Sequence, residues 1–339
     1  MKAVGYSRAS PADAPEALVD IDLLSPSHPV GRDLLVDVKA FSVNPLDAKL
    51  RRTVNPGELK VLGYDAAGIV VRTGEAVTEF QPGDEVYYSG SVTRQGSYAE
   101  YQLVDERLVA RKPSTLDFAD AAALPLTTLA VWELLFDRLG ARQLPSADRR
   151  VLLVIGGAGG TGSMAIQLAR ALTDLTVIAT ASRPETAALC HDLGAQHVID
   201  HRQALKPQVA ALGYPDVDLV MALVQTPTHQ SQFVDLVAPF GGIGILDDPD
   251  PFPLVTLKAK CIAIQMHSMM ARSVFKTADM AEQGRILSDL ARLVDSQRVR
   301  TTATSRRGPA NAADILAAHR ELEAGSVIGK IVFEGLQRI

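Results

Sequence analysis

Residues 151–172 constrain this 339-residue chain more than any others. Five apolar residues, Val151-Leu152-Leu153-Val154-Ile155, run without a break into Gly156-Gly157-Ala158-Gly159-Gly160-Thr161-Gly162, and a stretch rich in Ala, Ile and Leu follows. A short continuous apolar run of this kind reads as a strand buried on both faces. The spacing Gly157-x-Gly159-x-x-Gly162 suits a turn that is tight, lets a pyrophosphate approach the backbone and packs a helix closely against a strand. A helix predicted over 162–172 would point its free N–H groups and the positive end of its dipole at the phosphates. Gly157, Gly159, Gly160, Thr161 and Gly162 are therefore the expected cofactor loop, the alternative being a glycine-rich turn without a ligand.

The flanking pattern agrees. After residue 151, apolar strands predicted at 151–155, 175–181, 197–199, 217–223 and 242–246 alternate with helices, one of them at 184–193, which predicts a parallel sheet covered on both faces. Before residue 116 the chain reads as short strands, at 34–43, 66–73 and 98–104, separated by Asn55-Pro56-Gly57, Gln81-Pro82-Gly83-Asp84 and Gln95-Gly96-Ser97, a pattern of compact β-rich units. Helices are expected at 117–124 and 127–139, then a polar stretch at 141–150. After Met266 the alternation fades into helices at 279–296 and 311–323 and a last strand at 330–334. This tail does not extend the alternating series, so it is expected to pack on the first unit.

The second strand bears on cofactor choice. A carboxylate at its end would hold the ribose 2′-hydroxyl of NAD. Here the strand leads into Thr180-Ala181-Ser182-Arg183-Pro184, a hydroxyl beside a guanidinium, which suits a 2′-phosphate. NADPH is the expected cofactor, with Ser182 and Arg183 as its readers; the alternative is a surface serine and a solvated arginine. Leu223, Leu246 and Asp247 follow strands at the sheet edge where ligands bind, and are expected at the cofactor.

Composition removes other classes. With 34 Lys and Arg against 39 Asp and Glu, the net charge of −5 lacks the basic face of a nucleic-acid or anionic-membrane binder. No signal peptide is evident and no apolar run reaches the length of a membrane span, so a cytoplasmic protein acting on a small molecule is expected. Two cysteines, Cys190 and Cys261, cannot build a disulfide scaffold or a four-cysteine metal site, and both are expected to be small core residues. His197 and His201 share an i,i+4 spacing, but a strand begins at His197, so they are read as strand-end or surface histidines.

Several separated segments then point one way: Gly63-Tyr64-Asp65-Ala66-Ala67-Gly68, Phe80-x-Pro82-Gly83-Asp84-Glu85-Val86, Gly96-Ser97-Tyr98-Ala99-Glu100-Tyr101, Ala121-Ala122-Ala123-Leu124-Pro125-Leu126-Thr127 and Gly329-Lys330-Ile331-Val332. Over essentially its whole length the chain resembles the medium-chain dehydrogenase/reductase superfamily, in the quinone oxidoreductase-like branch and the subgroup named zinc-type or zinc-binding alcohol dehydrogenase. The resemblance implies an α/β fold: a discontinuous GroES-like catalytic domain, residues 1–126 and 270–339, around a Rossmann NADP-binding domain at 127–269, with the nicotinamide in the cleft between them. It also implies a homodimer, with the strand around Cys261–His267 pairing across it.

Zinc enzymes of this superfamily carry a cysteine, a histidine and a second cysteine where this sequence has Asn44, Tyr64 and a position near Thr127, and only Asp65 keeps an oxygen ligand. The structural-zinc lobe would need four cysteines between about Tyr88 and Gly96, where none occurs. No metal is therefore expected. Without a Lewis acid, conjugated acceptors are favoured over simple ketones, because their negative charge delocalises onto oxygen and hydrogen-bond donors suffice. The reading is a zinc-independent, NADPH-dependent reductase of quinones or α,β-unsaturated carbonyls, beside two alternatives: a metal-dependent alcohol dehydrogenase and a non-catalytic NADPH-binding redox sensor. The resemblance assigns Asn44 to the nicotinamide, Asp47 to holding the loop through Asn-x-x-Asp, and Tyr64 to proton or hydrogen-bond donation or to an aromatic wall. It assigns Thr127 and Thr128 to the nicotinamide or a phosphate, and Lys330 to the cofactor phosphates. His267 and Arg272 line the pocket or lie at the surface.

Overall fold

The computed structural model describes residues 1–26, 28–141, 150–252 and 254–337. The chain divides into two compact units, Met1–Leu126 with Met270–Ile339, and Thr127–Met269.

The first unit is built on the strand Asp33–Ser42. It pairs antiparallel with Ala66–Thr73, with Tyr101–Asp105 and with the late strand Lys330–Phe333. Its order is Ala303–Arg307, Lys330–Phe333, Asp33–Ser42, Ala66–Thr73, Glu85–Tyr88 and Val109–Arg111, so a segment from the far end of the chain lies second in the sheet. A small antiparallel sheet of Lys2–Tyr6, Val19–Asp22 and Lys60–Val61 completes the β-structure. The strands at 2–6, 19–22 and 85–88 carry too few residues to show a periodicity, which is why the sequence pattern missed them. The tail supplies the amphipathic helices Glu282–Asp295 and Ala312–Glu323. Asn311 caps the second, accepting from the Asp314 N–H at 3.1 Å.

The second unit holds a six-stranded, all-parallel sheet in the order His197–Ile199, Thr176–Thr180, Val151–Ile155, Val217–Ala222, Val237–Ile245, Ala263–Met266. The strand entering the glycine loop is thus central, and all five of its residues are buried. One face is covered by Leu205, Val209, Phe233 and Leu236 on the helices Leu205–Ala211 and Thr226–Leu236. Of the predicted polar stretch at 141–150, residues 142–149 lie outside the described residues.

Three expectations change. Cys190 is a buried core residue, but Cys261 is exposed, in a left-handed turn at φ 52° just before the edge strand Ala263–Met266. The run Phe118–Arg138 is also long and apolar enough to match a membrane span by composition, although 89% of its window is buried inside the protein, as for a core helix. The predicted helix at 127–139 proves to be α-helical over Pro125–Trp132 and then a π-helix over Glu133–Arg138.

Phe333 tests the tail's role. It is 1% exposed and its ring lies 5.6 Å from that of Phe41. Phe333→Ala should cost about 3–5 kcal/mol of the first unit's stability, read as a lowered urea midpoint; a loss under about 1 kcal/mol would mean that the tail strand is not part of that core.

Candidate active site

In the first unit, Ser42 ends the hub strand, Asn44 precedes the helix Pro45–Thr53, Tyr64 and Asp65 lead into Ala66–Thr73, and Lys330 opens the tail strand. Antiparallel pairing brings these four chain positions to one spot. One oxygen of Asp65 accepts from Ser42 Oγ at 2.7 Å, Asn44 Nδ2 at 2.9 Å and Lys330 Nζ at 3.0 Å. The other accepts from the Leu126 N–H at 2.6 Å. Lys330, 4% exposed, also donates to the Val43 carbonyl at 3.2 Å and to Asn44 Oδ1. The ammonium therefore commits its three donors inside this cluster. A buried ion pair is tolerated only when its remaining hydrogen-bonding capacity is satisfied, as it is here.

The cluster fixes the Asn44 amide. Its oxygen faces an ammonium and its nitrogen a carboxylate, so the flipped rotamer would set like against like on both sides. Lys330, expected at the cofactor phosphates, is placed instead as the cation of this cluster. Tyr64 is fully buried and its hydroxyl has no hydrogen-bond partner among the described residues. Burial, with the nearby Asp47, pushes its phenol well above the ordinary range.

Asp47 is tied to the backbone of this loop. Its carboxylate accepts from the Asn44 N–H at 2.7 Å and the Gly63 N–H at 3.2 Å, and the neighbouring Tyr98 hydroxyl lowers its titration. Gly63 has φ 99°, and a Cβ there would meet Ser97 Oγ and the Tyr98 ring at 2.5 Å, so only glycine lets Ser97 and Tyr98 pack this closely on the loop. Beyond Tyr98, its hydroxyl lies 3.3 Å from His319 Nε2, and Arg51 Nε donates to His319 Nδ1 at 3.3 Å. Arg51, fully buried, also donates to the Ser10 carbonyl and to Glu323. Burial pushes the Asp47 carboxyl up to about 7, against the lowering effect of the Asn44 N–H and Lys330. Burial, and then the Arg51 charge, pushes His319 down to about 3. Tyr98, His319 and Arg51 were missed because their partners lie tens to hundreds of residues away.

In the second unit the helix after the glycine loop spans Gly160–Leu172. A Cβ on Gly162 would meet the Gly156 carbonyl at 2.1 Å, and one on Gly157 would meet Cys190 Sγ at 2.8 Å, so packing dictates these two glycines. Gly159 differs: its Cβ would meet only the Gly156 carbonyl, at an ordinary 3.7 Å. Among the described residues no contact requires glycine there, whereas a pyrophosphate lying against the backbone would. The loop and helix start thus fit a dinucleotide. The Thr180 hydroxyl, accepting from the Gly156 N–H at 2.9 Å, pins the loop to the next strand.

Ser182 and Arg183 follow that strand, with Arg183 Nε 3.4 Å from Glu185. Thr127 and Thr128 are buried on the helix Pro125–Trp132. Leu223 follows the strand Val217–Ala222, and the Leu246 N–H donates to the Ala222 carbonyl at 3.1 Å. Both Asp247 oxygens are taken by Thr226, through its N–H at 2.9 Å and through its hydroxyl. Near the same edge the His201 and His229 rings lie 6.1 Å apart, and the buried His201 Nδ1, His229 Nδ1 and Gln230 Oε1 have no hydrogen-bond partner among the described residues. His201, read as a strand-end residue, thus joins a polar group that its sequence spacing did not reveal. His267 is buried with its Nε2 3.1 Å from Glu133 but out of line for a hydrogen bond, and Arg272 pairs with Asp279.

The two shifted groups give opposite pH dependences. Between about pH 4 and 7 the folded protein holds a proton on Asp47 that the unfolded chain has released, so this contribution to stability falls as pH rises. Between about pH 3 and 6.5 the unfolded chain holds a proton that folded His319 refuses, so this contribution falls as pH drops. Asp47→Asn should therefore expose the His319 slope, with stability to urea declining from pH 6.5 to 4 more steeply than in the parent. A decline of equal steepness in both would contradict the Asp47 assignment.

Residues 31–114 match the family described as alcohol dehydrogenase GroES-like domain, and residues 160–283 the family described as zinc-binding dehydrogenase. A zinc-type alcohol dehydrogenase-like protein of Staphylococcus epidermidis is 36% identical over 334 residues, covering 98% of this chain and 99% of that one. The crystal structure of a Rhizobium etli CFN 42 protein, provisionally named a zinc-dependent alcohol dehydrogenase, superposes with a TM-score of 0.96 at 50% identity, covering 100% of this chain and 99% of that one. The Arabidopsis thaliana NADPH-dependent alkenal/one oxidoreductase is 38% identical over 182 residues, 50% of this chain and 45% of the relative. The zinc in these names does not fit the donors present. Asn44 offers an amide, Tyr64 a phenol, and Asp65 is occupied by four donors including an ammonium. Among the described residues no three His, Cys, Asp or Glu side chains converge as metal ligands. By sequence, fold and domain content, the chain is an oxidoreductase of the medium-chain dehydrogenase/reductase superfamily and belongs to its quinone oxidoreductase-like branch.

Proposed function

We propose that this chain is an NADPH-dependent, zinc-independent reductase of quinones or α,β-unsaturated carbonyls. One observation carries the reading: where a metal ligand set would stand, a buried lysine ammonium bridges Asn44 and Asp65. The Arabidopsis relative named for NADPH and alkenal/one substrates supports it over half the chain.

When bound, NADPH supplies a hydride to a conjugated carbon of the acceptor. The loop Gly157, Gly159, Gly160, Thr161 and Gly162 holds the pyrophosphate by backbone N–H groups, and Ser182 and Arg183 hold the 2′-phosphate. Thr127, Thr128, Leu223 and Leu246 line the cofactor's path along the sheet edge, and Asp247 acts by fixing Thr226. Asn44 is the principal donor to the acceptor: one amide N–H is tied to Asp65, and the polarised second N–H serves the oxygen on which charge develops. Tyr64, with its unpartnered hydroxyl, is the second donor. Asp47 holds the Asn44 backbone, and Lys330 supplies fixed positive charge without touching the acceptor. The edge strand Ala263–Met266 exposes Ala263 and Met266, which pairing of two copies would cover, in keeping with a cytoplasmic homodimer.

NADPH oxidation measured with quinones, enones and saturated aldehydes, with and without a chelator, tests the reading. Quinone or enone turnover indifferent to chelator is expected. Chelator-sensitive aldehyde reduction would establish the metal enzyme instead, and tight NADPH binding without turnover the sensor. Arg183→Ala should raise KM for NADPH about tenfold or more and leave NADH kinetics unchanged, as the loss of one charge-assisted contact requires. Equal effects on both cofactors would remove Arg183 as the phosphate reader.

A further inference from the structure

We propose that His319 is a positioning residue for the Asn44 site, acting through Tyr98 and Asp47. The inference rests on the reductase reading above, and it concerns a residue on the helix Ala312–Glu323, distant in sequence from every group that reading uses.

The direction of each hydrogen bond follows from chemistry. A guanidinium can only donate, so His319 Nδ1, 3.3 Å from Arg51 Nε, must be the acceptor. The neutral imidazole then carries its proton on Nε2 and donates it to the Tyr98 oxygen at 3.3 Å. With its oxygen accepting from His319, the Tyr98 hydroxyl turns its proton toward the neighbouring Asp47 carboxyl, whose titration it lowers. Asp47 ends the series by holding the N–H groups of Asn44 and Gly63, which flank the site side chains Asn44 and Tyr64. Every donor from Arg51 onward thus points the same way, toward the loop that carries the site. Arg51, Asp47, Tyr98 and His319 are each fully buried, where an unmade hydrogen bond is expensive, so above about pH 7, with Asp47 ionised, the series has one low-energy arrangement.

The charged and titratable groups facing the series are Lys330, Asp65 and Tyr64 around Asp47, and Arg51 beside His319. Glu323 pairs with Arg51 from the helix that carries His319, and Arg320 adds its charge from the same helix. A proton on His319 Nδ1 would place a second cation against Arg51 and abolish the bond between them, because neither nitrogen could then accept. The neutral imidazole is therefore part of the device.

His319→Gln keeps an acceptor for Arg51 and a donor for Tyr98 at nearly the imidazole spacing. His319→Leu loses both, and Tyr98→Phe cuts the next link. In the full chain, His319→Leu and Tyr98→Phe should each lower kcat for the quinone or enone about tenfold or more, with KM for the acceptor within about twofold. Both should move the acid limb of the kcat profile, and His319→Gln should restore kcat and profile alike. Because the two residues act in series, the double variant should be no slower than either single one. Losses that multiply, or a parental kcat and pH profile in His319→Leu, would overturn the proposal. If the parent itself reduces no acceptor, the reductase reading fails and nitrogen NMR of the imidazole decides. A neutral His319 protonated on Nε2 from about pH 5 to 8, perturbed by Tyr98→Phe, supports the series, and an imidazole titrating near its ordinary value overturns it.

Discussion

The first unit turns on what surrounds the Asp65 carboxylate. Four donors reach it, from the end of the hub strand, the cap of the first helix, the tail strand and the first turn of the helix Pro125–Trp132. A buried carboxylate would be prohibitive alone, and half-satisfied it would be worse than a methyl group. The strand register that places Ser42, Asn44 and Lys330 around it is therefore bound to the polar cluster as well as to the apolar face. Removing the ammonium would leave the carboxylate uncompensated, and removing the carboxylate would strand the ammonium, so each makes the other indispensable.

The two units solve different problems with different material. The nucleotide-binding fit of the second rests on backbone: glycines that let a helix start lie close to a strand, and N–H groups left free by that start. Such a site depends little on side-chain identity. The first unit's site depends on it almost wholly. An amide, a carboxylate and an ammonium are each held by a partner from another part of the chain.

That difference explains what the sequence revealed. The strand Val151–Ile155, the strand Ala66–Thr73 and the turn into Gly162 are local patterns, and they were legible because a short window contains their cause. Asn44, Asp47 and Tyr64 were singled out by resemblance alone, and nothing in their neighbourhood hinted that Lys330 would join them rather than a phosphate. Tyr98 looked like part of a strand and His319 like one residue of an amphipathic helix. Their contact spans 221 positions, a separation at which periodicity is silent. Cys261 failed for a related reason: its composition suggested a core residue, but a left-handed turn turns it outward.

The interleaving of the two units has a consequence for how the protein comes to exist. The second unit is contiguous, and its parallel sheet closes once residue 266 has been made. The first unit's hub strand waits much longer, because its neighbour Lys330–Phe333 lies on the far side of that whole insertion. During synthesis the nucleotide fold can be finished while the other unit is an open sheet with an unneutralised Asp65 at its centre. Assembly of the chemical site is thus a late event, and it falls to a four-residue strand to bring the last charge.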